Sequence, residues 1–337
     1  MKTKKSLLII SLGLLVAAGV FAAGGSQSGA GAPGAKIAVT FAGTEGATAG
    51  QSRMMQEVAD TLNATGRFDV KVYVAGALPG DTDNLVTQAR LGVNLVVPSD
   101  PGRLASQFNI PDLNILMAPY VLTDYKVLEK LPQTALYKEW QAALEAQGVV
   151  LIADMFNGFR SFYTTTPVNK VADLSGLRLR GFGNAIGQAL AKYLGYAQTT
   201  VNATDIYSGV QAKSLDGCEI QASTADSYRL YEVTKYLALS KHYMLQSSFV
   251  CGKALLDGMP QADRDLFVKT VYDAAAKYSA IIAQEEQGYY DGFKSKGMTV
   301  TEVSIPEFQR AIDSLYTNND LKLTVGLKDR LFRELGL

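Results

Sequence analysis

Hydrophobic positions in the first half of the chain alternate between two periods. Lys36 to Ala42 and Phe68 to Val74 alternate apolar and polar as strands do, while Met54, Met55, Val58 and Leu62 recur at helical spacing within Ala47 to Leu62. This strand–helix–strand order predicts a parallel sheet with helices on its faces. Gly80-Asp81 marks a turn, Asn84 to Leu91 a helix with Leu85, Val86 and Ala89 inward, and Asn94 to Val97 a short buried strand. Pro98, Pro101 and Gly102 predict a loop, whose place at a strand end makes Ser99 and Asp100 candidates for binding or for a solvated turn. Ile115 to Leu122 is apolar but broken by Pro119; Tyr125 to Leu131 and Thr134 to Gln147 are helical, with Leu136, Trp140 and Leu144 on one core-facing stripe. Val149 to Phe156 reads as a strand, and Arg160 follows just after it.

The stretch VADLSGLRLRGFGNAIG, from Val171 to Gly187, predicts a strand, a tight loop and a helix, with Arg180 at the strand's carboxyl end. Ligands of open α/β domains bind at such ends, where the next helix N-terminus already favours an anion. A guanidinium there can grip a carboxylate through two parallel charge-assisted hydrogen bonds, or it can close a surface salt bridge. Arg160 repeats that placement about 20 residues earlier, so the two arginines point to a shared anionic site. A helix to Leu194, a strand over Thr199 to Val201, a helix from Asp205 to Ala212 and a strand over Cys218 to Gln221 follow. Tyr228 to Tyr236 predicts a helix or turn, and Met244 to Leu255 a strand that crosses back between domains.

Beyond Pro260, Leu266, Val271, Ala275, Tyr278, Ile281 and Ile282 recur every three to five residues with no Pro or Gly before Gly288. One helix from Gln261 to roughly Lys296 would be about 50 Å long, enough to brace two lobes from behind. Met298 to Val303 then predicts a strand, and Ile305 to Tyr316 and Leu321 to Leu337 predict helices.

Residues 1–22 carry Lys2, Lys4 and Lys5, an apolar run and a small-residue end, the pattern of a signal peptide cut after Ala22; an uncleaved anchor is the alternative. Residues 23–35, rich in Gly, Ser and Ala, predict a flexible linker. The chain has 32 basic and 32 acidic side chains; cleavage would leave 29 basic ones, a balance that argues against a nucleic-acid partner. Cys218 and Cys251 would lie in an oxidising compartment, where either a disulfide or two buried thiols accounts for them.

Six segments together carry a family resemblance: ALPGDTDNLVTQARLG (77–92), NIPDLNILMAPYVLTDY (109–125), NGFR (157–160), ADLSGLRLRGFGN (172–184), ATDIYSGVQAKSLDG (203–217) and YEVTKYL (231–237). In this order they resemble the solute-binding proteins of tripartite ATP-independent periplasmic (TRAP) transporters. The resemblance implies a two-lobed α/β periplasmic fold, with 36–156 and 246–285 in one lobe and 157–245 and 286–337 in the other. It implies a periplasmic receptor that delivers a small organic carboxylate to TRAP membrane subunits, as a monomer or homodimer. It also implies that Arg180 holds the ligand carboxylate, that Arg160 and Asn184 support it, and that Tyr207 lies in the family's Glu-Val-Tyr-like motif, here Asp205-Ile206-Tyr207.

The chain departs from that family where Ile220 and Gln221 replace an Asn-Pro pair and Gly181-Phe182 a Val-Pro pair. Phe182, Ile220 and Tyr207 are therefore expected to shape a partly apolar pocket, with Ser99 at its edge. Phe41 to Glu45 is expected not to present the polar group that some sialic-acid receptors have there. A hydrophobic or neutral ligand in the same fold, or an ABC-type receptor, is the alternative. No cofactor and no catalysis are expected: GFGNAIG has its third glycine one place late for a dinucleotide fingerprint, and no Gly-x-Ser-x-Gly or metal-ligand spacing occurs. The single histidine, His242, sits in a surface-like Lys-His-Tyr stretch and reads as a solvent or capping residue.

Overall fold

A computed structural model describes residues 36–337. The signal peptide and linker expected at 1–22 and 23–35 lie outside the described residues. Among the described residues, nine strands form one sheet: β1 (Ile37–Ala42), β2 (Phe68–Tyr73), β3 (Leu95–Ser99), β4 (Val149–Thr164), β5 (Arg178–Arg180), β6 (Ala197–Thr199), β7 (Gly217–Gln221), β8 (Tyr236–Gly252) and β9 (Thr299–Glu302). Their order is β2-β1-β3-β8-β4-β7-β5-β6, with β9 on the free side of β8.

The sheet is organised by its two longest strands. β4 and β8 run antiparallel for 16 and 17 residues. Gln246 to Gly252 of β8 faces Val149 to Phe156 of β4, and this end of the pair joins the parallel β1, β2 and β3 through β3. At the other end, Arg160 to Thr164 of β4 pairs with β7, which leads to the parallel β5 and β6. The register slips between Phe156 and Phe159, where Gly158 takes a φ of 105°. Only a residue without Cβ adopts that angle cheaply, and the resulting bulge turns the strand without ending it.

This corrects the expectation that β4 stops at Phe156: Asn157-Gly158 forms a bulge within the strand, so Arg160 lies inside it. β8 likewise starts at Tyr236, well before the expected Met244. Another difference is the helix Pro101–Gln107 in place of a loop, capped by Asp100, whose Oδ1 accepts from the Arg103 N–H at 2.9 Å. Pro101, at its first turn, gives up an N–H that has no helical partner there. Ala222–Ser227 is a short helix that sequence patterning misses.

The described residues pack into two apolar clusters. The long helix is present as Gln261–Ser295 and serves both: Phe267, Val271, Ala275 and Ile282 enter the larger cluster, Tyr290 and Phe293 the smaller. Trp140 is buried in the larger one, as its helical stripe predicts. Cys218 and Cys251 are free, buried thiols, each pushed up to about 12 by burial, which resolves the disulfide alternative. No described helix is long and apolar enough to cross a membrane.

Candidate functional site

A cleft of about 790 Å³ opens between the two groups of strands. Arg180, the last residue of β5, lines it with only 4% of its surface exposed. Its Nε donates to the Val201 carbonyl at 3.2 Å, and no carboxylate lies within salt-bridge distance among the described residues. Burial, together with the neighbouring Arg160 charge, pushes its pKa down to about 10. It remains a cation at neutral pH, and an uncompensated one.

Arg160 is different. Its Nε and Nη2 donate to the carboxylate and the backbone carbonyl of Glu219, and its Nη1 donates to Gln221 Oε1 at 3.0 Å. Burial opposes its charge, but the adjacent Glu219 more than offsets this and raises its pKa. Burial would raise the Glu219 carboxyl in turn; Arg160 and the His242 ring overcome it and hold the group down at about 2. His242 is fully buried, 3.4 Å from Glu219 through Nε2 and stacked on Phe162 at 4.8 Å, so its expected place at the surface is overturned. Burial lowers its pKa. The tertiary pairing of β8 with β4 puts it inside.

Asn184 caps the helix Ala185–Leu194: its Oδ1 accepts from the Gly187 N–H at 3.0 Å, while its buried Nδ2 finds no acceptor. Phe182 stands in the cleft among three guanidiniums, with Arg160, Arg103 and Arg180 at 4.3, 5.3 and 5.4 Å from its ring centre. The loop is held by close packing, since a Cβ on Gly187 would meet the Phe182 carbonyl at 2.0 Å. Gly187→Ala is therefore expected to cost about 1–3 kcal/mol of stability and to displace Phe182, as urea melts and the near-ultraviolet spectrum would report.

Ile220 and Ser99 also line the cleft, Ser99 with a buried hydroxyl that has no partner. Asp100 is occupied by its capping bond and by Arg103 at 3.1 Å. Tyr207 does not reach the cleft. Its hydroxyl donates to Glu232 at 2.9 Å on an exposed face, because the preceding Ile206 takes the buried position of this short helix.

Glu45 is a cleft-lining residue that the sequence reading passes over. It lines the cleft from the loop after β1, 7% exposed, its Oε1 accepting from Asn157, Gln221 and Thr224 at 2.9, 2.7 and 2.9 Å. Its Oε2 has no partner, nor do the buried Asn157 Oδ1 and Gln246 Oε1. The available signal is position: Glu45 follows a parallel strand's carboxyl end, as Arg180 does.

A ligand-sized cleft between two parallel-stranded groups, joined by two long crossing strands and braced by one helix, defines a two-lobed solute-binding protein. The family model DctP, described as bacterial extracellular solute-binding protein, family 7, matches residues 42–320, and the chain belongs to that family. The TRAP-receptor resemblance of the six motifs thus holds. The chain is 25% identical to the sialic acid-binding periplasmic protein SiaP of Vibrio cholerae, over 78% of this chain and 82% of that one. It is 26% identical to the C4-dicarboxylate-binding periplasmic protein DctP of Rhodobacter capsulatus, over 69% and 70%. Among solved structures, a TRAP periplasmic solute-binding protein of Actinobacillus succinogenes with bound L-galactonate superposes with a TM-score of 0.84 at 23% identity, over 89% of this chain and 99% of that one.

Proposed function

We propose that this protein captures a small organic monocarboxylate in its cleft, in the periplasm, and delivers it to the membrane subunits of a TRAP-type transporter. The observation that carries the ligand class is the buried, unpaired Arg180 guanidinium at a strand end. A carboxylate bound there would restore the charge balance that burial upsets, through a bidentate pair. Asn184 Nδ2 would supply a further donor, and Arg160, locked by Glu219, would lend field without moving. Phe182 and Ile220 would form the apolar wall, and Ser99 a polar edge. Tyr207 takes no part.

The cleft volume falls within the range of small-molecule sites, about 300–1,000 Å³. The organic acids of related proteins, L-galactonate bound to one and sialic acid the ligand of another, agree with this class. The lobes would change over at Phe156/Asn157 and Leu245/Gln246, beside the β4 bulge, and close on the ligand there. Native mass spectrometry of the purified protein, followed by a thermal-shift screen of organic acids, tests the reading. An acid is expected to co-purify or to raise the melting temperature. Stabilisation by neutral or lipidic compounds, with none by acids, would overturn it.

A further inference from the structure

Three guanidiniums lie over one buried ring. Arg103 from the helix after β3, Arg160 from β4 and Arg180 from the end of β5 stand 5.3, 4.3 and 5.4 Å from the centre of Phe182. All three are within the roughly 6 Å over which a ring face attracts a cation. The Phe182 side chain is 8% exposed, so water screens these attractions little. Its backbone is fixed as well, because its carbonyl accepts from Gln198 Nε2 and Gly187 packs against it.

The three cations differ in what else they hold. Arg103 has Asp83 at 3.3 Å and Asp100 at 3.1 Å, and Arg160 has Glu219. Arg180 has no acid within ion-pair distance among the described residues. Glu219 reaches it only at longer range and is committed to Arg160, while the Cys218 thiol, pushed up to about 12 by burial, is neutral at neutral pH. What Arg180 does have is the Phe182 ring. A ring face is the negative part of an aromatic quadrupole, so it gives a buried cation a fraction of what a carboxylate gives.

We propose that Phe182 is the counter-group of Arg180 in the ligand-free protein and that a ligand carboxylate takes over from it, so that the electron density of this ring sets the affinity for acids. This rests on the carboxylate reading above and deepens it. A guanidinium paired with a carboxylate presents little net charge to the ring, and the ring face repels the carboxylate itself. The ring therefore stabilises the ligand-free protein more than the complex. An electron-poor ring should bind acids more tightly, which is the opposite of what a weakened wall contact would do.

Ring fluorines decide it, since they drain the face while changing its shape little. Phenylalanine carrying none, two or three ring fluorines is placed at position 182 alone, with and without Arg180→Met. Each protein is melted without ligand and titrated with acetate, pyruvate and lactate by calorimetry and NMR. Fluorination is expected to lower the ligand-free melting temperature stepwise, and less so with Arg180→Met; the added apolarity of fluorine by itself would raise it. All three acids should bind more tightly by one common factor, about two- to fivefold at three fluorines. The alkaline limit of binding, about 10 in the unmodified protein, should move down in step. Affinities that stay constant or fall with fluorine overturn the inference and leave Phe182 a wall; if those acids still require Arg180, the carboxylate reading stands. If none of the acids binds, or all bind equally well without Arg180, the carboxylate reading has failed and this inference falls with it.

Discussion

Arg180→Met is expected to raise the melting temperature of the ligand-free protein while abolishing carboxylate binding. The two effects have one cause. A guanidinium held down at about 10 has lost part of its solvation without gaining a counter-ion. At about 1.4 kcal/mol per unit, that depression corresponds to a few kcal/mol of native-state cost, part of which an apolar side chain of similar length would return. With ligand, the sign reverses. Truncating one side of a buried, hydrogen-bonded charge pair costs about 2–5 kcal/mol, so affinity should fall by roughly thirty-fold to several thousand-fold.

Arg180→Lys separates charge from geometry. A lysine keeps the cation but cannot offer two parallel N–H groups to one carboxylate, so an intermediate loss is expected. Binding to the unmodified protein should hold steady through neutral pH and weaken as pH rises past about 10, where Arg180 begins to lose its proton. Calorimetry and ligand-free melts on the three proteins check this. A methionine variant that is less stable without ligand yet binds acids normally would place the clamp elsewhere.

What is legible in the sequence is what local pattern determines. The strand, loop and helix around Arg180 follow from a short apolar run and from Gly181, Gly183 and Asn184, which break it before the helical pattern begins, all within Val171 to Gly187. The long helix is equally plain, because its apolar spacing meets no breaker for most of its length. The losses come from distant partners. Asn157-Gly158 has the composition of a turn, and only pairing with β8 on one side and β7 on the other carries the chain through it as a strand. His242 looks exposed between Lys241 and Tyr243, yet Phe162 and Glu219 cover it from other strands. Glu45 is invisible as a site residue for a similar reason: its three donors come from β4, β7 and the helix Ala222–Ser227. An acidic residue in a Gly-Thr-Glu-Gly loop gives no local sign of burial.

Glu219→Gln is expected to be the most destabilising single change of a polar residue near the cleft. Glu219 accepts from Arg160 and lies within 3.4 Å of both His242 Nε2 and Tyr243 Oη, all of them buried. An amide there leaves the Arg160 cation buried and uncompensated, which costs about 3–5 kcal/mol. The pH profile identifies the cause. A carboxyl held at about 2 in the folded protein and near 4.3 in the unfolded chain stabilises the fold fully above the higher value, and that contribution fades as pH falls toward the lower one. His242, buried and neutral, adds loss on the same side, since its protonation below about 6.5 favours the unfolded chain. Urea melts from neutral to acid pH should therefore show the unmodified protein losing stability in two stages. The variant should start lower, keep the histidine stage and lack the carboxyl stage. Because Arg160 would then be a second unneutralised guanidinium beside Arg180, the variant should also depress the Arg180 pKa further. Carboxylate binding should then weaken at a lower pH than in the unmodified protein, an effect that simple loss of packing would not produce.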